Sequence, residues 1–274
     1  MLTSVQVYDA LGVSGVKLPL YAPNSEMPYY IKDISGLGPV KAHVTSSNYA
    51  NMDGGIIHNS RTEMRNIVMT VTYAPYFGQG QTVESLRKEL YRHYAPKSRI
   101  RLRVNFSENG ISEYVYIQGV VETHEPILFS KDPEVQISII CPKPYFYSPS
   151  TKVINGRVGK AIPVADLSSV ETGFLFELTA SSTMRSVRIS NGLHRDILFD
   201  TDMYEGDKLR ISTRPGNKFV ERDTGSGFIS DLDGITQGDL SMFIDPRIPE
   251  LMVTAVASTL QTFKVSIVPM FVGL

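Results

Sequence analysis

Tryptophan is absent from this 274-residue chain, and cysteine occurs only once, as Cys141. A single cysteine excludes an internal disulfide and any multi-cysteine metal site, so we expect Cys141 to be a small buried apolar residue. No apolar run approaches the roughly 18 to 20 residues that a membrane-spanning helix needs, and no signal-peptide pattern opens the chain. We therefore expect a protein that is made and folded in a cytoplasm.

The chain also lacks an excess of either charge, because 27 Lys and Arg residues oppose 28 Asp and Glu residues and leave a net charge of -1. That balance gives no global attraction to nucleic acid or to an anionic membrane. Hydrophobic residues at 42% and charged residues at 20% are typical of a globular protein.

The segments that resemble catalytic or metal-binding motifs do not have the spacing that those motifs require. The segment Gly156 to Lys160 has two residues between its glycines, where a phosphate-binding loop has four. Asp231 to Gly234 begins like a calcium loop, but its glycine comes too early and its twelfth position is Met242. No HExxH or GxSxG motif occurs. We expect no enzyme activity, no cofactor and no metal site.

Strand patterns dominate the first half of the chain. Asn66 to Tyr73 and Arg99 to Phe106 alternate apolar and polar residues with the period of two that is typical of half-buried strands. Asn109-Gly110 predicts a two-residue hairpin turn into a strand from Glu113 to Val121. A further strand is predicted from Glu134 to Cys141, where prolines end it.

One segment predicts a helix. Thr82 can cap its start, and Val83, Leu86, Leu90 and Tyr94 place one apolar stripe on a single face. Pro96 ends the pattern. We expect this helix to pack on a sheet, because its apolar stripe must be buried.

The proline- and aromatic-rich stretch from Cys141 to Ser150 predicts a domain boundary, which gives domains 1-149 and 150-274. The second domain is expected to be a β-sandwich or jelly roll. Its predicted strands are short segments separated by turn residues, at 173-180, 185-190, 207-213, 218-223, 251-258 and 261-270.

One charge concentration stands out between Glu84 and Arg103, where 7 basic and 2 acidic residues give a local charge of +5. Arg99, Arg101 and Arg103 alternate with apolar residues, so they share the outer face of a strand. A nucleic-acid reader would use such a face for phosphates. We favour subunit contact or ion pairing, because exposed charges of this kind are common.

Four consecutive segments together resemble the N-terminal domain of phage distal tail proteins. They are DISGLGPVKAHVTSSNYANMDGG from Asp33, SRTEMRNIVMTVTYAP from Ser60, TVESLRKELYRHYAPKSRIRLRV from Thr82 and YIQGVVETHEPILFSKDPEVQISIICPKPYF from Tyr116. EGDKLRIST from Glu205 is similar to the galectin-like jelly roll that many members carry. The resemblance implies a mainly β protein, with a β-sandwich-like N-terminal domain bearing one helix and a galectin-like C-terminal β-sandwich.

The resemblance also implies a structural function. Distal tail proteins form hexameric rings in the tail tip or baseplate, joining the tail tube above to hub or fibre proteins below, around a channel that DNA crosses. The implied partners are thus five further copies and those tail proteins, with no specific nucleic-acid binding and no membrane insertion. The polar segment Lys41 to Arg61 would be an arm that reaches a neighbouring subunit. The candidate subunit-interface residues are Asp53, Gly54, Arg61, Arg65, Arg99, Arg101 and Arg103.

Two other interpretations of the function stay open. The C-terminal domain could bind a host-surface glycan, although the chain has no tryptophan and Phe219, Phe228 and Phe243 suit a core equally well. A glycan-degrading enzyme would need a pair of acids, for which the acidic stretch Asp231 to Asp245 is the candidate.

Overall fold

The computed structural model describes residues 2-9, 14-20, 27-75, 80-108, 111-127, 133-192, 196-257 and 260-274. The chain divides into two compact units, one formed by Met1–Pro149 with Val272–Leu274 and the other by Ser150–Phe271. The described residues are mainly strand, with one α-helix, α1, at Val83–His93. The predicted mainly β fold with a single helix is confirmed.

In its described residues the first unit has ten strands, whose bounds are β1 Leu2–Asp9, β2 Ser14–Pro19, β3 Tyr29–Ser35, β4 Ala42–Asn48, β5 Gly55–Thr62, β6 Arg65–Tyr73, β7 Arg99–Glu108, β8 Ile111–Ile127, β9 Glu134–Cys141 and β10 Phe146–Tyr147. Eight of them belong to one antiparallel sheet, seven in the order β2-β1-β7-β8-β9-β6-β3 and β10 beside β8. A parallel bridge from Leu20 to Ile31 links the two edges. The expected sandwich-like domain is therefore one sheet that curls until its edges meet.

Alternation along these strands builds the core of the first unit, because successive side chains point to opposite faces of a sheet. Ile67, Met69 and Val71 of β6 are buried, as are Leu102 and Val104 of β7. Their polar neighbours lie on the outer face. The strands β7 and β8 pair from Arg99 opposite Val120 to Glu108 opposite Ile111, while the predicted turn residues Asn109 and Gly110 lie outside the described part of the chain.

Helix α1 begins as the sequence predicts. The Thr82 hydroxyl accepts a hydrogen bond from the Ser85 amide at 3.1 Å, and the Ser85 hydroxyl accepts one from the Thr82 amide at 3.0 Å. This reciprocal pair satisfies amides that a helix start leaves without partners. Leu86 and Leu90 are buried, so the helix packs its apolar stripe inward.

The second unit is a two-layer β-sandwich. Its strands are β11 Lys152–Arg157, β12 Ala161–Pro163, β13 Phe174–Thr179, β14 Met184–Ser190, β15 Asp196–Phe199, β16 Lys208–Arg214, β17 Asn217–Asp223, β18 Phe228–Ser230, β19 Ile235–Gln237, β20 Glu250–Ala257, β21 Thr262–Ile267 and β22 Met270–Phe271. One sheet has the order β11-β21-β13-β16-β17-β18 and the other β12-β20-β14-β15-β19. A single apolar core that includes Phe174, Phe176 and Phe199 lies between them. The predicted C-terminal β-sandwich is confirmed.

Cys141 is 0% exposed at the end of β9, and burial raises the pKa of its thiol to about 12. Because only the thiolate attacks disulfide reagents, we expect the native protein to react with such a reagent at pH 8 about a thousandfold more slowly than the unfolded chain. A thiol-titration time course measures this. Equal rates for native and unfolded protein would contradict the buried position.

Candidate functional site

One surface of the first unit is a hairpin whose strands, β4 and β5, pair with no other strand that the structure describes. Every residue of both strands is exposed. We call Ala42–Thr62 the arm. The Glu63 amide donates to the Lys41 carbonyl at 3.1 Å, which closes the base of the arm. The predicted arm segment, Lys41 to Arg61, therefore forms an exposed two-stranded hairpin.

The sequence of the arm explains why it stands apart from the core. Its strands carry Ser, Thr, Asn and His where β6 carries a regular apolar set, so the strands offer no continuous apolar face to the sheet. At the tip, the Tyr49 amide donates to the Gly54 carbonyl at 3.3 Å. Gly54 has a φ of +98°, a conformation that side chains with a Cβ rarely adopt.

The arm nevertheless carries several large apolar side chains that are exposed to solvent. Met52 is 70% exposed and Ile57 is 68% exposed, and Val44, Tyr49 and Ile56 are also exposed. An isolated two-stranded hairpin is marginally stable at best in water. Exposed apolar groups gathered on one element are typical of a surface that another molecule covers.

Three predicted interface residues belong to the arm. Asp53 and Gly54 lie in its tip, and Arg61 lies on β5 opposite His43 near its base. All three are exposed. Their positions are compatible with a contact to a neighbouring subunit, which stays a prediction.

Arg65 occupies a different environment, because it is only 1% exposed at the start of β6. Its guanidinium donates hydrogen bonds to four carbonyl oxygens. The acceptors are Pro144 at 2.7 Å, Gly38 and Val272 at 2.6 Å each, and Gly36. The group also lies over the Phe146 ring, 4.5 Å from the ring centroid. Burial lowers the pKa of this guanidinium.

These bonds make Arg65 an internal clamp at the base of the arm. It holds the segment before β4, through Gly36 and Gly38, against the chain's last residues, through Val272. The Leu274 amide supports the same junction by donating to the Leu37 carbonyl at 3.1 Å. We therefore propose an internal role for Arg65 in place of the predicted subunit contact.

The burial of Arg65 has a signal in the sequence. Ile67, Met69 and Val71 follow Arg65 at intervals of two residues, and residues two apart in a strand face the same side. The alternation therefore directs Arg65 inward. The predicted subunit contact followed instead from the position of Arg65 in the segment that resembles distal tail proteins.

The arginine stripe of β7 lies on the outer face of the sheet, as predicted. The Arg101 guanidinium lies 5.1 Å from the ring centroid of Tyr116, and that of Arg103 lies 3.7 Å from the ring centroid of Tyr114. Among the side chains that the structure describes, which do not include that of Asp9 on the neighbouring strand, no carboxylate pairs with Arg99, Arg101 or Arg103. The arginines are held by aromatic rings and a hydrogen bond from Arg103 to Asn105 rather than by ion pairs.

A groove opens at the Arg99 end of this stripe. It has a volume of about 620 Å³ and is lined by residues of β7, of β8 and of the segment after β9. Three of these residues are cations and none is acidic. We call this surface the cationic groove, and its charged and aromatic residues are Arg99, Arg101, Lys143, Tyr116 and Tyr147.

A second groove, of about 600 Å³, lies on the outer face of the six-stranded sheet of the second unit. Opposite charges alternate across its strands, because Glu177 lies between Lys264 on β21 and Arg210 on β16. The Arg210 guanidinium donates to the Glu177 carboxylate at 3.1 Å and lies 3.9 Å from the Phe228 ring centroid. We call this surface the sheet groove.

The described residues offer little for metal or acid chemistry. Among them no group of three His, Cys, Asp or Glu side chains could hold a metal ion. In the acidic stretch, Asp245 is paired with Arg247, which lowers the pKa of the carboxyl. Among the described helices none is long and apolar enough to cross a membrane.

Comparisons with known proteins find similarity in structure but not in sequence. No family model matches the chain, and no curated protein matches it. A solved structure does match the chain. It is the crystal structure of the Dit protein of phage SPP1, described as a paradigm of the hub adsorption apparatus in phages that infect Gram-positive bacteria. The TM-score is 0.61, over 87% of this chain and 92% of that one. This chain has the fold of SPP1 Dit.

The likeness to SPP1 Dit lies in the fold, because only 11% of the aligned residues are identical. Chains of the phage P2 baseplate in its activated conformation, with Ca and with Sr, also match, at TM-scores of 0.44 and 0.41 and 11% identity. Each of these matches covers 97% of this chain and 98% of the other.

Proposed function

We propose that this protein is a phage distal tail protein, a virion component that forms a ring at the tail tip and joins the tail tube to the hub. Two observations support this. The Dit fold extends over both units, and the first unit carries an arm with no buried residue. The arm is the observation that carries the proposal of a ring, because it needs a second molecule to cover its apolar side chains.

In this proposal the first unit builds a hexameric ring and the second unit projects outward. A closed ring is a heterologous assembly, so each subunit must present two different complementary surfaces. The arm supplies one such surface. The mechanism is binding and scaffolding, and no catalytic step is assigned to the chain.

The proposed ring surrounds a channel for DNA without binding DNA specifically. A net charge of -1 supports this, since a channel with strong attraction would hold its cargo. The proposed partners are the tail tube protein on one side of the ring and hub or fibre proteins on the other.

Immunogold electron microscopy tests the proposed location. Antibodies raised against the whole protein should label the distal end of the tail in intact virions. Antibodies against the capsid shell give the matched control, with label at the head. Label on the head or along the whole tail with the first antibody would contradict the proposal.

A second candidate function, recognition of a host-surface glycan, is favoured by the sheet groove. Planar polar groups such as Arg210 and Glu177 can bond paired sugar hydroxyls, and Phe228 adds an apolar surface beside them. We expect Phe228→Ala to weaken binding of a glycan identified on an array by about tenfold or more. Val256→Ser, at an exposed apolar residue of the other sheet, should leave binding unchanged. Absence of any glycan signal for the intact protein would remove this candidate.

A further inference from the structure

We propose that the tip of the arm of one subunit docks in the cationic groove of its neighbour, with the Asp53 carboxylate facing Arg99, Arg101 and Lys143. This inference rests on the proposed ring and specifies which two surfaces of the chain meet in it. Among the side chains that the structure describes, neither surface has an ion-pair partner, so a second copy supplies the opposite charge to each.

The arm brings one negative charge and an apolar surface to this contact. Asp53 is the only acidic residue between Asp33 and Glu63, and it lies at the exposed tip. Met52 and Tyr49, beside it in the tip, are exposed as well. The tip therefore presents a carboxylate flanked by a thioether and a phenol ring, which suits a cationic surface lined by aromatic groups.

The cationic groove is organised to receive a carboxylate. Tyr116 stacks on Tyr147 with ring centroids 5.6 Å apart, and Arg101 lies over the Tyr116 ring. The Tyr116 ring limits the motion of the Arg101 guanidinium, and none of the described side chains accepts a hydrogen bond from it. Guanidinium edges bind carboxylates through two parallel hydrogen bonds. A groove with three cations and no acidic lining residue has a strong preference for an anion.

A protein segment suits the groove better than a nucleic acid does. Proteins that bind single strands need free aromatic faces on which bases can stack. Here Tyr147 and Arg101 lie against the Tyr116 ring, and Arg103 lies over the Tyr114 ring. The rings are already engaged, while the charged edges of the arginines are available.

The two surfaces meet the geometric requirement of a ring. The arm tip and the cationic groove are different surfaces on the same unit, so the contact between them is heterologous and repeats from one subunit to the next. A two-fold dimer would instead pair each surface with its own copy. A contact of this kind covers the exposed tip of the arm and places one carboxylate beside three cations.

Disulfide trapping in the full-length protein tests the contact directly. An equimolar mixture of Asp53→Cys and Arg101→Cys proteins, under mild oxidation, should give a cross-linked dimer of one chain of each kind. Asp53→Cys mixed with Arg157→Cys, at an exposed cation of the second unit, provides the matched control and should give none. Buried Cys141 contributes little background. A mixture that assembles without the cross-link would overturn the inference and leave the proposed ring intact.

A charge exchange provides a second, independent readout. Asp53→Arg and Arg101→Asp should each raise the concentration at which half of the protein assembles by about tenfold or more, since like charges then oppose each other. The two changes in one chain should recover most of that loss. If the two losses of assembly simply add in the double variant, a direct contact is contradicted. Tight, salt-sensitive DNA binding that Arg101→Asp abolishes would also contradict it.

Failure of the inference and failure of the proposed function give different results. If the wild-type protein forms a ring but the variants show neither the cross-link nor the charge recovery, the proposed ring is supported and this contact is contradicted. A cross-link between chains that never close into a ring supports the contact and contradicts the ring.

Discussion

Replacing the arm with a two-residue Asn-Gly turn between Lys41 and Glu63 yields, on this account, a folded protein that no longer assembles. The Glu63 amide already bonds the Lys41 carbonyl, which is the geometry that a tight turn closes. None of the removed residues is buried, so the core of the first unit is unaffected. We expect assembly to weaken by at least about a hundredfold, because the arm supplies one of the two ring surfaces.

Sedimentation measures the assembly of the arm-deleted protein, and thermal unfolding shows that it is folded. A single change gives a finer test. Ile57→Ser should weaken assembly, whereas Val256→Ser, a similar loss of an exposed apolar side chain on the second unit, should not. An arm-deleted protein that assembles like the wild type would contradict the role of the arm.

Arg65→Met is expected to be strongly destabilising. It leaves four backbone carbonyls without the donor that they share, in a site with almost no access to water. Each buried acceptor left without a donor costs about 1 to 3 kcal/mol, so we expect a total loss of several kcal/mol. For a unit of this size, the loss corresponds to a fall in melting temperature on the order of 10 °C.

Hydrogen exchange locates the effect of Arg65→Met. Protection should be lost around Gly36 to Gly38 and at Val272–Leu274, while the core strands of the second unit keep theirs. Arg65→Lys should be intermediate, since an ammonium cannot reach four acceptors in one plane. Arg92→Met, at an exposed arginine of helix α1, is the control and should change stability by no more than about 0.5 kcal/mol. Equal stability of Arg65→Met and Arg92→Met would contradict the clamp.

Local patterns could predict much of this fold. The alternation in β6 and β7 and the capping residue Thr82 are signals that lie within a few residues of one another, and the structure confirms them. Short strands such as β12, β15 and β19 were not predicted, since three or four residues carry too little periodicity to separate from turns.

The parts of the site that escaped prediction depend on contacts between distant residues. Arg65 and Val272 are 207 positions apart, and no local pattern indicates that the end of the chain returns to the first unit. The cationic groove combines β7, β8 and Lys143, so the arginine stripe was visible in the sequence while the enclosing surface was not. The exposed arm was predicted as a polar segment, and its exposed isoleucines became informative only once its pairing was known.

Native mass spectrometry of the full-length protein over a range of concentrations, combined with electron microscopy of the largest species, tests whether the protein forms the proposed ring. We expect six copies in a closed ring with an open centre. A protein that stays monomeric at every concentration, forms a two-fold dimer or grows into open filaments would contradict it.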